Sequence, residues 1–181
     1  MCFCILGYSG FLRYEEIAGL RVSDICFEET HLRIFIESSK TDVYREGKWV
    51  YIAKGDTPLC PDKIVRSYFA KCGIADFTCD EFIFRAISKG KYHKKSRNSP
   101  KRLSYTRVRE TLLEALKKTG VNTKEYGTHS LRSGGATAAA NAGIPDRLFK
   151  RHGRWRSESA KDGYVKDNTE QLLRVSKSLG L

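Results

Sequence analysis

Hydrophobic positions change period several times along this chain. From Gly10 to Ile25, Leu12, Ile17 and Leu20 fall on one side of a helical wheel with Arg13 and Glu16 one turn apart, which predicts a helix. From His31 to Ile36 the period drops to two and the residues are mostly β-branched or aromatic, which predicts a strand. Ser38 to Lys48 is polar with Gly47 inside it, and Trp49 to Ala53 resumes the strand pattern, so the two runs read as a hairpin. A short third strand is expected at Glu81 to Phe84.

The remaining segments are helical. Pro61 to Cys72 carries Pro at its start and Gly73 just past its end. Ser104 is placed to cap a helix running to Thr119, with Val108, Leu112, Ala115 and Leu116 inward and Gly120 as the stop. Thr128 caps the next, through Ala142, ended by Gly143; Pro145 opens a short helix that Gly153 closes. Ser157 or Ser159 opens another that carries Tyr164, and an amphipathic helix from Thr169 to Leu179 finishes the chain. The implied fold class is α+β, mainly α, with one small antiparallel sheet, and 181 residues suit a single domain.

Charge narrows the partners. With 33 Lys and Arg against 21 Asp and Glu, the net charge is +12, an excess that favours a polyanion, most often nucleic acid. The densest basic run is the loop from Arg85 to Arg102, with Lys89, Lys91, Lys94, Lys95, Arg97, Lys101 and Arg102; it reads as a solvated connection, a contact for DNA phosphates or a nuclear-import signal. Met1 to Tyr8 is too short to span a bilayer and lacks the basic start of a secretory signal, so no membrane partner is expected and an intracellular protein is implied. Six cysteines show no CxxC pair and no paired His spacing, so most are expected to be reduced core fillers, with no metal.

The candidate chemistry lies between Thr128 and Tyr164. His129 and Arg132 are three apart in the first turn of a helix, so both side chains leave one face at an end whose N–H groups favour an anion. Arg suits a phosphate there because its planar fork meets two oxygens. Gly134, Gly135, Ala136 and Ala138 to Ala140 let this helix pack closely on its neighbours.

Read with the rest of the chain, these residues resemble the tyrosine recombinase (phage integrase-like) family. Gly10-Phe-Leu-Arg-Tyr-Glu-Glu-Ile-Ala-Gly-Leu-Arg-Val-Ser-Asp-Ile is similar to the family's first arginine motif, which places Arg13 as the first catalytic arginine with Glu16 and Asp24 in supporting positions. Ser38-Ser-Lys-Thr-Asp resembles the β-turn that carries a lysine, here Lys40. His129 and Arg132 match the His-x-x-Arg box, Gly153-Arg-Trp puts Trp155 at the position held by His or Trp, and Tyr164 follows Trp155 at the nucleophile's spacing of nine residues (164 minus 155). The segments SSKTDVYREG and HSLRSGGATAAANAGIPDRLFKRHGRW look most like recombinases of eukaryotic mobile elements of the DIRS or Crypton kind.

The resemblance implies a DNA breaking and rejoining fold that works on double-stranded DNA, as a homo-tetramer on paired sites, without cofactor. It implies Tyr164 as nucleophile, Arg13 and Arg132 on the phosphate, Lys40 as acid for the leaving oxygen, His129 as acid/base partner and Trp155 as an N–H donor. It implies integration or site-specific recombination, in the nucleus of a eukaryote or otherwise the cytoplasm. Because family members carry further catalytic helices and a DNA-clamping domain upstream, residues 1–181 read as one catalytic domain truncated at its N-terminus. A DNA-binding remnant without catalysis, or a type IB-like topoisomerase, are the alternatives. The final helix, with Leu172, Leu173 and Val175, has two expected seats: its own core, or a neighbouring subunit.

Overall fold

The computed structural model describes residues 1–37, 46–85 and 101–180. Helices α1 (Cys2–Ser9) and α2 (Tyr14–Gly19) lead through a 3-10 turn into β1 (Ile25–Phe27), β2 (His31–Ile36) and β3 (Lys48–Ala53). Among the described residues the helices that follow are α3 (Pro61–Cys72), α4 (Tyr105–Lys117), α5 (Thr128–Asn141), α6 (Asp146–Gly153), α7 (Glu158–Asp162) and α8 (Thr169–Lys177). The sheet has the order β1-β2-β3, antiparallel throughout, with Ile34 opposite both Ile25 and Val50.

Alternation along β2 turns Leu32, Ile34 and Ile36 inward, and Val50 and Ile52 of β3 join them. That face, with Leu6 of α1, Ile17 of α2 and Val65 and Phe69 of α3, forms the main core. A second, smaller core of Phe11, Ala136, Phe149 and Trp155 supports the site described below, with Tyr164 packed against it.

Local signals hold where punctuation is strong. Pro61 opens α3, and Gly73 ends it in the left-handed conformation at φ 66°. Ser104 caps α4 by accepting from Arg107 N. Elsewhere the structure corrects the expected elements. The stretch from Gly10 to Ile25 is not one helix: Phe11 adopts φ 48°, Arg13 is the N-cap of the six-residue α2, and Leu12, Ile17 and Leu20 reach the same core from separate elements. The third strand is Ile25–Phe27 rather than Glu81 to Phe84, where Phe82 makes only an isolated bridge to Arg21. In α4, Val108 and Leu112 are buried, but Ala115 is exposed and Leu116 only half-buried. Gly127, not Thr128, is the N-cap of α5.

Tyr164 lies just past α7, its N–H donating to Lys161 O at 3.0 Å, and not within a helix. The seat of α8 on its own core is not made: Leu172, Leu173, Val175 and Leu179 are all exposed. All six cysteines are free thiols; Cys2 and Cys60 are buried and the rest half-buried. Among the described residues, no helix is long and apolar enough to cross a membrane.

The small residues of α5 are used unequally. A Cβ built on Gly135 would stand 2.0 Å from the Tyr8 carbonyl oxygen, whereas one on Gly134 would meet only the Tyr8 ring at 3.6 Å. Gly135→Ala is therefore expected to destabilise the fold by about 1–3 kcal/mol, and Gly134→Ala to be neutral or to stabilise it by up to about 1 kcal/mol through helix propensity. Urea unfolding of the two variants side by side checks this.

Candidate active site

Arg13, at the N-cap of α2, is held by Glu16 one turn on. Glu16 Oε2 accepts from Arg13 N at 2.8 Å, and Oε1 accepts from Arg13 Nη1 at 3.1 Å. The same carboxylate takes Arg154 Nη2 at 2.8 Å, with both side chains almost fully buried. Arg154 sits at the C-cap of α6 at φ 57°, which turns its side chain back under the site.

Arg132 projects from the first turns of α5 into the same interior and is fully buried. Its Nη1 donates to the Phe11 carbonyl and its Nη2 to the Gly153 carbonyl at 2.7 Å. The Phe11 carbonyl also takes Arg154 Nη2 at 3.3 Å. A left-handed Phe11 costs on the order of 1 kcal/mol or more, and two guanidiniums on its carbonyl hold it there. Burial pushes the Arg132 pKa down to about 10, and the neighbouring Arg13 and Arg154 charges push the same way. Arg13 and Arg154 thus share one carboxylate, Glu16, while the nearby Arg132 guanidinium is held by the Phe11 and Gly153 carbonyls.

Around this cluster stand the aromatic residues. The Arg132 guanidinium lies 4.8 Å from the Tyr164 ring centroid and 5.0 Å from that of Trp155. Trp155 packs against Tyr164 and Phe149, with centroids 5.5 and 4.9 Å apart. It lies so close over Gly153 that a Cβ there would come within 2.0 Å of the indole. The indole Nε1 and the Arg132 and Arg154 Nε atoms are buried without a hydrogen-bond partner among the described residues.

His129 Nε2 is 2.9 Å from the Tyr164 hydroxyl, and the two rings stack at 27°. Burial, then the charges of Arg132 and Arg13, lower the His129 pKa, so the imidazole is neutral near pH 7 and able to accept a proton. The backbone of Tyr164 is tied to α5: its carbonyl accepts from Ser133 Oγ at 3.1 Å and Thr137 Oγ1 at 3.2 Å.

Five of the six expected positions, Arg13, His129, Arg132, Trp155 and Tyr164, are thus brought together; Lys40 lies outside the described residues. Asp24 serves elsewhere, accepting from Arg21 N at 2.7 Å in the turn before β1. Of the basic loop, Lys89, Lys91, Lys94, Lys95 and Arg97 are outside the described residues. Lys101 is exposed, and Arg102 pairs with Glu15 at 2.9 Å while Arg102 bridges Arg85. Among the described residues no group of three or more His, Cys, Asp or Glu side chains is arranged to hold a metal ion.

Sequence reading missed Arg154, His152, Ser133 and Thr137. His152 Nε2 lies 2.9 Å from the Ser9 carbonyl and its ring meets Phe11 edge-on. The one available signal for Arg154 was its place inside the Gly-Arg-Trp triplet.

The sequence model of the Phage integrase family matches residues 1–171. Among solved structures, the XerA recombinase matches 96% of this chain and 54% of its own length, at 21% identity and a TM-score of 0.69. The XerH site-specific recombinase bound to palindromic difH substrate, a post-cleavage complex, matches 99% and 45%, at 14% identity and 0.71. The Tn1549 transposon integrase in complex with transposon right end DNA matches 99% and 58%, at 15% identity and 0.64. The chain therefore spans about half the length of these proteins. No curated protein sequence matches it.

Proposed function

Since this chain belongs to the phage integrase family, we propose that it is the catalytic part of a DNA strand-exchange enzyme that cuts duplex DNA with Tyr164 and rejoins it without water. The observation that carries this reading is the pairing of the Tyr164 hydroxyl with His129 Nε2 at 2.9 Å, beside the Arg132 guanidinium and the Arg13–Glu16–Arg154 ion-pair cluster.

In this reading a scissile phosphate supplies the anion that the arginine cluster lacks. Arg13, and Arg132 through its unpartnered Nε–H, hold the non-bridging oxygens and stabilise the charge that grows on them. The Trp155 Nε1–H donates to the same group. Neutral His129 accepts the phenolic proton as the Tyr164 oxygen attacks phosphorus, and the 3′ end is held as a phosphotyrosine ester while the 5′ oxygen leaves with a proton. The acid for that oxygen is Lys40, on the strength of the motif Ser38-Ser-Lys-Thr-Asp. In the ester the energy of the broken bond is kept, so attack by a second 5′ hydroxyl reverses the step and joins a new partner.

The exposed apolar residues of α8 favour a seat on a neighbouring subunit, which suits a homo-tetramer on paired sites. We place the activity in the integration or recombination of a mobile element, in the nucleus of a eukaryotic host, on the wording of the two segments that resemble such elements. The exposed loop end at Lys101 supplies further charge for the DNA backbone.

Covalent capture tests the reading. The protein is incubated with a pool of nicked duplexes, denatured, digested and searched by mass spectrometry for a nucleotide-bearing peptide. An adduct on the peptide that contains Tyr164 is expected. Binding of duplex with no adduct on any peptide would instead make the chain a DNA-binding remnant, and relaxation of supercoils by the monomer without paired sites would make it a topoisomerase.

A further inference from the structure

Beside the catalytic cluster runs an open cleft of about 1070 Å³, between the outer face of β3 and helix α6. One wall carries Trp49 and Tyr51, which alternate onto the face of β3 opposite the core and are 40% and 55% exposed. The other carries Arg147 and Arg151, four apart and so on one face of α6, with Leu148 between them. Phe11, Arg154 and Trp155 close the inner end, so the cleft is separated from Tyr164 by one layer of side chains.

The charge of this cleft is one-sided. Lys48, Arg147, Lys150, Arg151 and Arg154 line it, and no carboxylate does among its described lining residues. Lys150 and Arg154 are matched by Glu158 and Glu16, but Lys48, Arg147 and Arg151 form no ion pair among the described residues. The aromatic wall is flanked on the same outer face of the sheet by side chains of β2. Arg33 lies over Trp49 at 4.4 Å, Phe35 packs on Trp49 at 5.1 Å, and His31 on Tyr51 at 5.5 Å.

Planar rings set opposite unpaired guanidiniums match the two parts of an unpaired nucleotide strand. Bases stack on the rings and phosphates meet the cations. A duplex fits this arrangement poorly, because its base faces are already stacked on one another. We propose that this cleft binds single-stranded DNA, taking the strand that unpairs between the cleavage points when ends are exchanged. The origin of that strand rests on the strand-exchange reading above; the binding itself rests on the cleft alone.

The test uses the full chain and a labelled oligothymidylate of about twelve nucleotides, within the usual site size of such grooves. Trp49→Ala/Tyr51→Ala is expected to weaken its binding by about tenfold to a hundredfold, and Arg147→Gln/Arg151→Gln to weaken it and flatten its salt dependence. Affinity for intact duplex is expected to stay within about threefold in the aromatic variant, since stacking is not used there. Both pairs are exposed, and circular dichroism confirms that the variants fold. Photocrosslinking of a bromouracil-substituted oligonucleotide is expected to label Trp49 or Tyr51.

Unchanged oligothymidylate affinity in both variants overturns the proposal. So does equal displacement by polyglutamate, which would make the cleft a seat for acidic peptides, or loss of self-association in the aromatic variant as its sole effect. If the single strand is lost in the variants while wild type forms no adduct with nicked duplex, the cleft stands and the catalytic reading fails. An adduct with no effect of the variants gives the reverse.

Discussion

Tyr164→Phe is expected to lower covalent adduct formation by more than about a thousandfold, the scale seen when a nucleophile is removed from an enzyme that works through a covalent intermediate. The variant removes one oxygen and keeps the ring, which packs on Trp155, stacks on His129 and lies over Arg132. Its backbone ties to Ser133 and Thr137 are untouched. Duplex affinity is therefore expected to hold within about twofold, and stability within about 1 kcal/mol, the net worth of one hydrogen bond. Gel-shift titration and adduct counting on the same preparation separate the two effects. His129→Gln gives the internal comparison: it removes the proton acceptor but not the nucleophile, so capture should slow by about a hundredfold to ten-thousandfold without vanishing. Persistence of the adduct in Tyr164→Phe would move the nucleophile to another residue and dismantle the proposed mechanism.

That the side chains of the candidate site come from widely separated segments explains what was and was not legible in the sequence. His31 to Ile36 and Pro61 to Cys72 follow from alternation and from Pro and Gly, signals that act over a few residues. Leu12, Ile17 and Leu20 were rightly read as inward-facing, yet the helix joining them was wrong. Phe11 leaves helical space because its carbonyl serves Arg132 and Arg154, more than a hundred residues away. No local pattern encodes that demand. The same holds for Arg154, whose burial depends on a carboxylate from α2. The sequence places Tyr164 in a helix opened by Ser157 or Ser159, but the helix that Ser157 caps runs only from Glu158 to Asp162, and α5 hydroxyls capture the tyrosine beyond it. Motif spacing pointed to the candidate residues; tertiary hydrogen bonds decide how they are held.

Those tertiary bonds meet at Glu16, and its removal is expected to give the largest loss of stability. Glu16→Ala leaves Arg154, whose side chain is 3% exposed, buried without its counter-charge and takes the cap from Arg13 N. Stranding a buried charge costs about 3–5 kcal/mol, and losing the N3 carboxylate that accepts from the N-cap N–H adds about 1 kcal/mol. Against a net stability on the order of 5–15 kcal/mol, the variant should melt far below wild type, and Glu16→Gln should lose less because it keeps an acceptor. Two further measurements distinguish charge imbalance from lost packing. Adding Arg154→Met to Glu16→Ala removes the stranded charge and should recover part of the loss, a coupling that a double-mutant cycle reads directly. Inorganic phosphate should raise the melting temperature of Glu16→Ala more than that of wild type, because Arg13, Arg132 and Arg154 then face an anion again. If the double variant is no more stable than Glu16→Ala and phosphate acts on both proteins alike, Glu16 is only a packing residue, and the arginine cluster loses its standing as a phosphate site.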